Sequence, residues 1–358
     1  MTRVALPHPA GPLTEVLFEA LGAPPAPLPE LPEPQGDPLD DLDHHLALYA
    51  CCELAYRGWA GVDPEWESEP SLVGLRRALE RRFEGAMIAG VAELPEASGG
   101  DVPERLEALI AADESPSVAR FLAREGDPEQ VRELLVHRSA DRLKEAEPHL
   151  RTIARLPDRP KAAMVEILAD EMGGGRPEML HSHLYRRAMD ALGLDGRENA
   201  YVDRLPGITL ATVNLMSLFG SHARLRGALA GHLAVTEMTS SAASRLYGQA
   251  MRRAGFESRD ATHYFDEHVE ADAVHDVLAS HDLAGGLAEA EPELADSIVF
   301  GARALMLVEG GLAQHLLGAW EAGRSSLRAP VRVRGPGTGE RARSAGMHSS
   351  PRRTAPTP

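Results

Sequence analysis

Apolar residues recur three and four positions apart along nearly the whole middle of the chain, the spacing that lines one face of an α-helix. Over 41–59 the stripe is Leu42, Leu46, Tyr49, Ala50 and Leu54. Comparable stripes predict helices over 71–83, 102–112, 116–124, 128–146, 159–172, 177–192, 210–225, 229–254, 261–281, 291–309 and 312–321, with Gly, Pro and Asp signals between them. No segment alternates with period two for long enough to predict a strand. No fixed-period repeat points to a solenoid. The expectation is an all-α protein.

The ends break this pattern. Residues 1–40 are proline-rich and are expected to be mostly disordered apart from a short amphipathic piece near 13–21. Residues 41–125 read as an N-terminal helical region or an elaboration of the main bundle, and 126–325 as the main helical domain. The boundary between them is not firm; only the Gly/Ser/Asp-rich stretch near 98–103 interrupts the pattern. From 326 to 358 the chain mixes Arg, Gly, Pro, Ser and Thr and is expected to be a disordered basic tail.

Composition agrees with helices: of 358 residues 43% are hydrophobic but only 4% aromatic, and strands draw on aromatic and β-branched residues. With 54 acidic against 37 basic side chains the net charge is -17, which repels a phosphate backbone and anionic membranes alike. Neither nucleic acid nor a membrane surface is an expected partner. The longest near-apolar run, 207–220, is shorter than the ~20 residues a spanning helix needs. The N-terminus has no uninterrupted apolar core of the kind a secretion signal carries. Cys51 and Cys52, the two cysteines, are adjacent, so neither a disulfide framework nor a cysteine-rich zinc site is available, and a reducing cytoplasm is the expected location.

Candidate chemistry lies between 171 and 275. In FDEHVEADAVHDVLASHD, His268, Asp272 and His275 stand at i, i+4 and i+7, within roughly 60° of one another around a helix. Imidazole and carboxylate on one stripe suit iron, manganese or zinc; a solvated acidic face is the ordinary alternative. Upstream, ADEMGGGRPEMLH puts Glu171 before three glycines and His181 after them. Each interior glycine costs about 1 kcal/mol relative to Ala, so three beside a carboxylate need a reason such as a kink or a close backbone approach. Glu237 lies in an apolar, small-residue helix, where a lone carboxylate is costly unless paired, protonated or metal-bound. Helical bundles build diiron sites by projecting such groups inward. Glu178–His181 and Asp272–His275 both have the i, i+3 spacing of such sites, so spacing leaves Glu171 and Glu178 as alternative first ligands. Glu53, among apolar neighbours, is a further candidate.

ADEMGGGRPEMLH, the Glu237 helix and His-x3-Asp-x2-His at 268–275 together resemble the haem-oxygenase-like diiron oxidases, also called iron-containing redox enzymes. The resemblance covers roughly 130–325 and implies a haem-oxygenase-like helical bundle carrying an additional N-terminal helical region. It implies Glu171, His181, Glu237, His268, Asp272 and His275 as metal ligands, and so prefers Glu171 to Glu178. Some relatives take one more carboxylate from the preceding helix; Glu145 is the candidate here, with Glu147 close by. His183, His232 and His263 match no ligand position and read as surface or packing residues. A carboxylate-rich pocket suits iron ions better than a porphyrin face.

The implied function is a non-haem diiron oxidase or oxygenase with two irons per chain and O2 as co-substrate, acting on a small molecule: an amino acid, a fatty acid or a natural-product intermediate. Arg245 and Tyr247 are candidate orienting groups, and Arg176 or Arg204 candidate partners for a substrate carboxylate. The resemblance admits a homodimer. The reading from a different class is a metal-binding helical scaffold without turnover, and a substrate-sized pocket beside the ligands would discriminate the two.

Overall fold

The computed structural model describes residues 3–94, 96, 99–331 and 333, with the side chains of 270–274 excepted. Its elements are helical. The N-terminal half carries α1 (Pro12–Leu21), α2 (Leu42–Glu53), α3 (Pro70–Ala92), α4 (Val102–Ala111), α5 (Val118–Arg124), α6 (Pro128–Arg142) and α7 (Leu150–Ile153). The remainder carries α8 (Asp158–Glu171), α9 (His181–Ala191), α10 (Gly207–Ser221), α11 (Arg226–Arg253), α12 (Arg259–Val277), α13 (Gly286–Ala290) and α14 (Ala295–Glu321). No strand occurs among the described residues, only an isolated bridge between Ala5 and Ala60. Several helix starts were marked by their caps: Asp41, Asp101, Ser117 and Asp127 each accept hydrogen bonds from the backbone N–H groups of the following turn.

Helix α10 is buried on every side from Gly207 to Gly220, as its unbroken apolar run requires, and forms the centre of the bundle. Among the described residues no helix is long and apolar enough to cross a membrane. Helix α11 packs along α12 on one side and α14 on the other. The α11–α14 crossing is a backbone contact: a Cβ on Gly231 would lie 1.8 Å from the carbonyl oxygen of Ile298, and one on Gly301 1.9 Å from that of Ala228. Apolar side chains form two clusters. One joins α1–α3 to α6, α9, α10 and the C-terminal half of α14, and the other surrounds α4, α8 and the N-terminal half of α11.

Three expectations change. The predicted helices over 291–309 and 312–321 are one, α14, because Gly310 and Gly311 are held against Ser115 and Ile208 rather than left to water. The helix predicted to 281 gives way at Leu278 to a π-helical segment, Leu278–Gly285. The largest correction concerns residues 1–40, expected to be mostly disordered. Leu13, Leu17 and Leu21, one helical turn apart, are buried in the first apolar cluster. Asp43 caps α1 from outside it, accepting from the backbone N–H groups of Leu13 and Thr14 at 2.9 Å and from the Thr14 hydroxyl at 2.6 Å. The proline-rich stretch after α1 is tied down by Trp66 Nε1 donating to the Ala23 carbonyl (2.9 Å) and Leu28 N donating to Ser71 Oγ (2.8 Å). At the other end, Ser326 donates from its backbone N–H to Glu133 at 2.8 Å and Leu327 is buried, while 332 and 334–358 lie outside the described residues.

Two predictions arise here. Gly231→Ala and Gly301→Ala each force α11 and α14 apart, with an expected loss of about 1–3 kcal/mol in urea unfolding. His45 and His137 bridge α2 and α6 to α10, and burial pushes each down to about 3, helped by His44 in the first case and by His315 and Arg138 in the second. A folded-state value below the ordinary 6.5 means stability is complete above pH 6.5 and falls as pH drops toward 3. The slope is about 1.4 kcal/mol per pH unit per group. The unfolding free energy from urea titration therefore drops between pH 7 and pH 5, and the drop is smaller by about 2 kcal/mol in His137→Gln.

Candidate metal centre

The two apolar clusters meet at a polar seam. Helix α8 ends at Glu171, and Gly173, Gly174 and Gly175 follow with φ of 66°, 59° and 78°, a left-handed run that other residues rarely adopt. A Cβ on Gly173 would lie 2.6 Å from the carbonyl carbon of Met179, so the connection doubles back on itself. The result places His181, the first residue of α9, beside the last residue of α8: His181 Nδ1 lies 2.9 Å from Glu171 Oε2. Both side chains are buried. The three glycines thus have the reason their sequence demanded.

Helix α12 brings His268 to the same point. Its Nδ1 hydrogen-bonds the carbonyl of Tyr264 one turn earlier at 2.8 Å, which puts the ring proton on that nitrogen and leaves the Nε2 lone pair facing Glu171, with Oε1 4.0 Å away. The His181 and His268 rings are 4.5 Å apart. Glu145, in the turn after α6, accepts from the Tyr264 hydroxyl at 3.0 Å and is ion-paired with Arg142. One donor atom from each of Glu145, Glu171, His181 and His268 falls within 4.8 Å of the others.

Glu237 of α11 and His275 of α12 form a second group, with His275 Nδ1 3.4 Å from Glu237 Oε2 but not aligned for a hydrogen bond. His275 Nε2 is hydrogen-bonded to Asp170 at 3.0 Å. The side chain of Asp272 lies outside the described residues. Glu178 is exposed on the loop before α9 and away from this group of donors.

Electrostatics follow from burial and neighbours. Desolvation works against the Glu171 carboxylate, yet His181, His268 and Arg142 outweigh it and hold the group well below the usual range. Burial, opposed by Glu171, pushes His268 down to about 4, so its ring is neutral at ordinary pH. Burial also lifts Glu237, with His275 opposing. Burial works against charge on His275, but Glu237 and Asp170 carry it up to about 9.

Glu171 Oε2, His181 Nδ1, His268 Nε2 and His275 Nδ1 are all buried without a hydrogen-bond partner. Such a group costs about 1–3 kcal/mol apiece when left unsatisfied. Three of these orphaned donor atoms face one another at the Glu171 group and the fourth, on His275, faces Glu237; both groups fit a metal ion. A nitrogen and carboxylate donor set suits iron.

Other candidates are elsewhere. Glu53 is buried against Lys144, which also reaches the Tyr49 hydroxyl at 3.0 Å. Arg245 and Arg176 are exposed, and Arg176 Nε donates to the Gly173 carbonyl. Arg204 is half-buried, and its carbonyl accepts from the backbone N–H of Arg328 at 2.9 Å. Tyr247 lines a cavity of about 330 Å³ that reaches the centre at Tyr264 and His268. His263 pairs with Glu267, whereas His232 is buried beside His149 around a smaller cavity of about 50 Å³ bounded by Glu145, Glu171 and Glu237. Arg142, Asp170 and Tyr264 escaped the sequence reading. Two of them stand three or four residues before a candidate ligand, at helical contact distance, which is the sign that could have found them.

Nitrosourea synthase of Streptomyces achromogenes subsp. streptozoticus is 26% identical over 223 residues, which cover 60% of this chain and 46% of that protein. The chain therefore spans about half the length of that relative. A family described as iron-containing redox enzymes matches residues 132–310, a span holding most of α6 to most of α14 and, of the candidate ligands, all but Glu53. With half its length so matched, the chain belongs to the family of iron-containing redox enzymes.

Proposed function

We propose that this protein is a non-haem diiron oxygenase or oxidase that uses O2 to oxidise a small organic molecule. The observation that carries the reading is the set of buried, unpartnered ligand atoms on Glu171, His181, His268 and His275 beside a cavity of substrate size. In this reading Glu145, Glu171, His181 and His268 hold one ferrous ion, and Glu237, Asp272 and His275 the other. His268 joins the Glu171 half because its free Nε2 faces that carboxylate. When bound, ferrous iron supplies the electrons that activate dioxygen.

The chain's own residues do the rest. Tyr264 and Arg142 fix the orientation of Glu145, and the Tyr264 carbonyl fixes the tautomer of His268. Asp170 orients His275 by accepting a hydrogen bond from its Nε2–H. The substrate occupies the cavity between α11, α12 and α14. Leu134, Val235, Phe265 and Leu305 exclude water from it. Arg138 and Arg142 also face it, but both are neutralised: Arg138 donates to Glu309 at 2.7 Å and Arg142 pairs with Glu145. Thr236 and Thr239 donate their hydroxyl protons to carbonyls of their own helix, so they offer a substrate acceptor oxygens. A cavity of this volume beside the ligands favours turnover over a solid scaffold. An amino acid, a fatty acid or a natural-product intermediate remains the substrate range of this reading.

Anaerobic titration with ferrous iron is expected to end at two ions per chain, and His275→Ala to bind fewer and to lose oxygen consumption. Zero iron in the unaltered protein, even at excess metal, sinks the proposal and leaves the scaffold. Tyr264→Phe is expected to keep the fold, since the ring stays, while weakening iron binding or oxygen consumption by about 10–100-fold. An unchanged iron affinity and rate would remove Tyr264 from the centre.

A further inference from the structure

The centre has two approaches of opposite character. The cavity at Tyr264 and His268 is largely apolar, and its two guanidinium groups, Arg138 and Arg142, are paired with Glu309 and Glu145. Separately, a cleft of about 600 Å³ reaches the surface at the exposed residues Pro177 and Glu178 and has the more buried Glu145 and Glu171 at its inner end. Its cations are engaged: Arg57 with Glu147 and Glu198, Lys144 with Glu53, and Arg186 with Glu198 at 3.6 Å. Glu178 and His183 also line it, and among the described residues neither side chain makes a hydrogen bond or ion pair. At the inner end Glu171, buried beyond nine-tenths, keeps Oε2 without a hydrogen-bond partner. The left-handed turn at 173–175 brings Glu178 into the same cleft as Glu171, seven residues earlier.

We propose that this cleft is the path by which ferrous ions enter, with Glu178 and His183 as transient ligands at its mouth that pass the ion to Glu171 and Glu145. The proposal rests on the reading that the buried carboxylates and imidazoles hold iron. The cavity's guanidinium groups are paired and its walls largely apolar, so it offers a hydrated dication nothing to replace its water, whereas the unengaged groups of the cleft are a carboxylate and an imidazole. Exchange of water for one oxygen and one nitrogen ligand at the mouth divides the dehydration of the ion into steps. The substrate and the metal thereby have separate doors.

A residue on a path changes the rates of entry and exit together and leaves the equilibrium alone; a residue of the resting site changes the equilibrium. The full chain, stripped of metal, is mixed anaerobically with ferrous iron, and in parallel with Co(II), whose ligand-field absorption reports uptake without redox change. Release is followed into excess chelator. In Glu178→Gln/His183→Gln, uptake and release are both expected to slow about five- to tenfold, with stoichiometry and Kd unchanged. Glu178→Lys is expected to slow uptake further and to weaken its dependence on salt. Unaltered rates at unaltered stoichiometry overturn the path while leaving the iron centre standing. A lower stoichiometry or weaker Kd in the double variant also overturns it, because the two residues would then be ligands of the resting site. Absence of metal binding in the unaltered protein would remove the iron reading itself, a different result from either.

Discussion

Ionisable groups buried together without water are the constraint on which the rest depends. Glu171, His181, Glu237, His268 and His275 are nearly excluded from solvent, and removing any one of them from water is costly unless something replaces the hydration. Part of the replacement comes from within: Tyr264 and Arg142 on Glu145, the Tyr264 carbonyl on His268, Asp170 on His275. The remaining orphan atoms are those that face one another. The fold is arranged so that five elements, the turn after α6 and the helices α8, α9, α11 and α12, deliver one or two such groups each to a single seam between apolar clusters.

Helix identity was legible because the 3.6-residue apolar period runs almost unbroken, and the caps at Asp41, Asp101 and Asp127 marked where it begins. Helix ends were less legible. Gly310–Gly311 is a break signal in isolation, and only the packing of Ser115 and Ile208 over those glycines keeps α14 continuous. The order of residues 1–40 was hidden for a similar reason. Its proline content is that of a loose segment, while the carboxylate that caps α1, Asp43, comes from the next helix.

Of the site, what lies on one helix was open to spacing arguments, and what lies between helices was not. His268 and His275 share a stripe that periodicity exposes. The preference for Glu171 over Glu178 came from resemblance; in the structure the left-handed turn at 173–175 returns the chain so that His181 faces Glu171 at 2.9 Å. Spacing of three residues made Glu178–His181 look like the pair. In the folded chain Glu178 precedes the first turn of α9 and is exposed. Arg142 and Tyr264 were missed because their importance is to a side chain on another element, Glu145 and its neighbours.

Lys144 stands next to Glu145 in the chain, yet its ammonium points the other way, into a box made by Glu53 and the rings of Tyr49 and Tyr56, 4.4 and 5.1 Å away. All three partners come from α2 or the turn just after it, before the matched span begins. Without that box the ammonium would be a bare charge in the interior, at the residue that adjoins a candidate ligand. The region before residue 126 is therefore not an appendage on a self-sufficient core. It is the far wall of the half that the family match covers, and a fragment cut to the boundaries of that match would lose the counter-charge that keeps the neighbour of Glu145 in place.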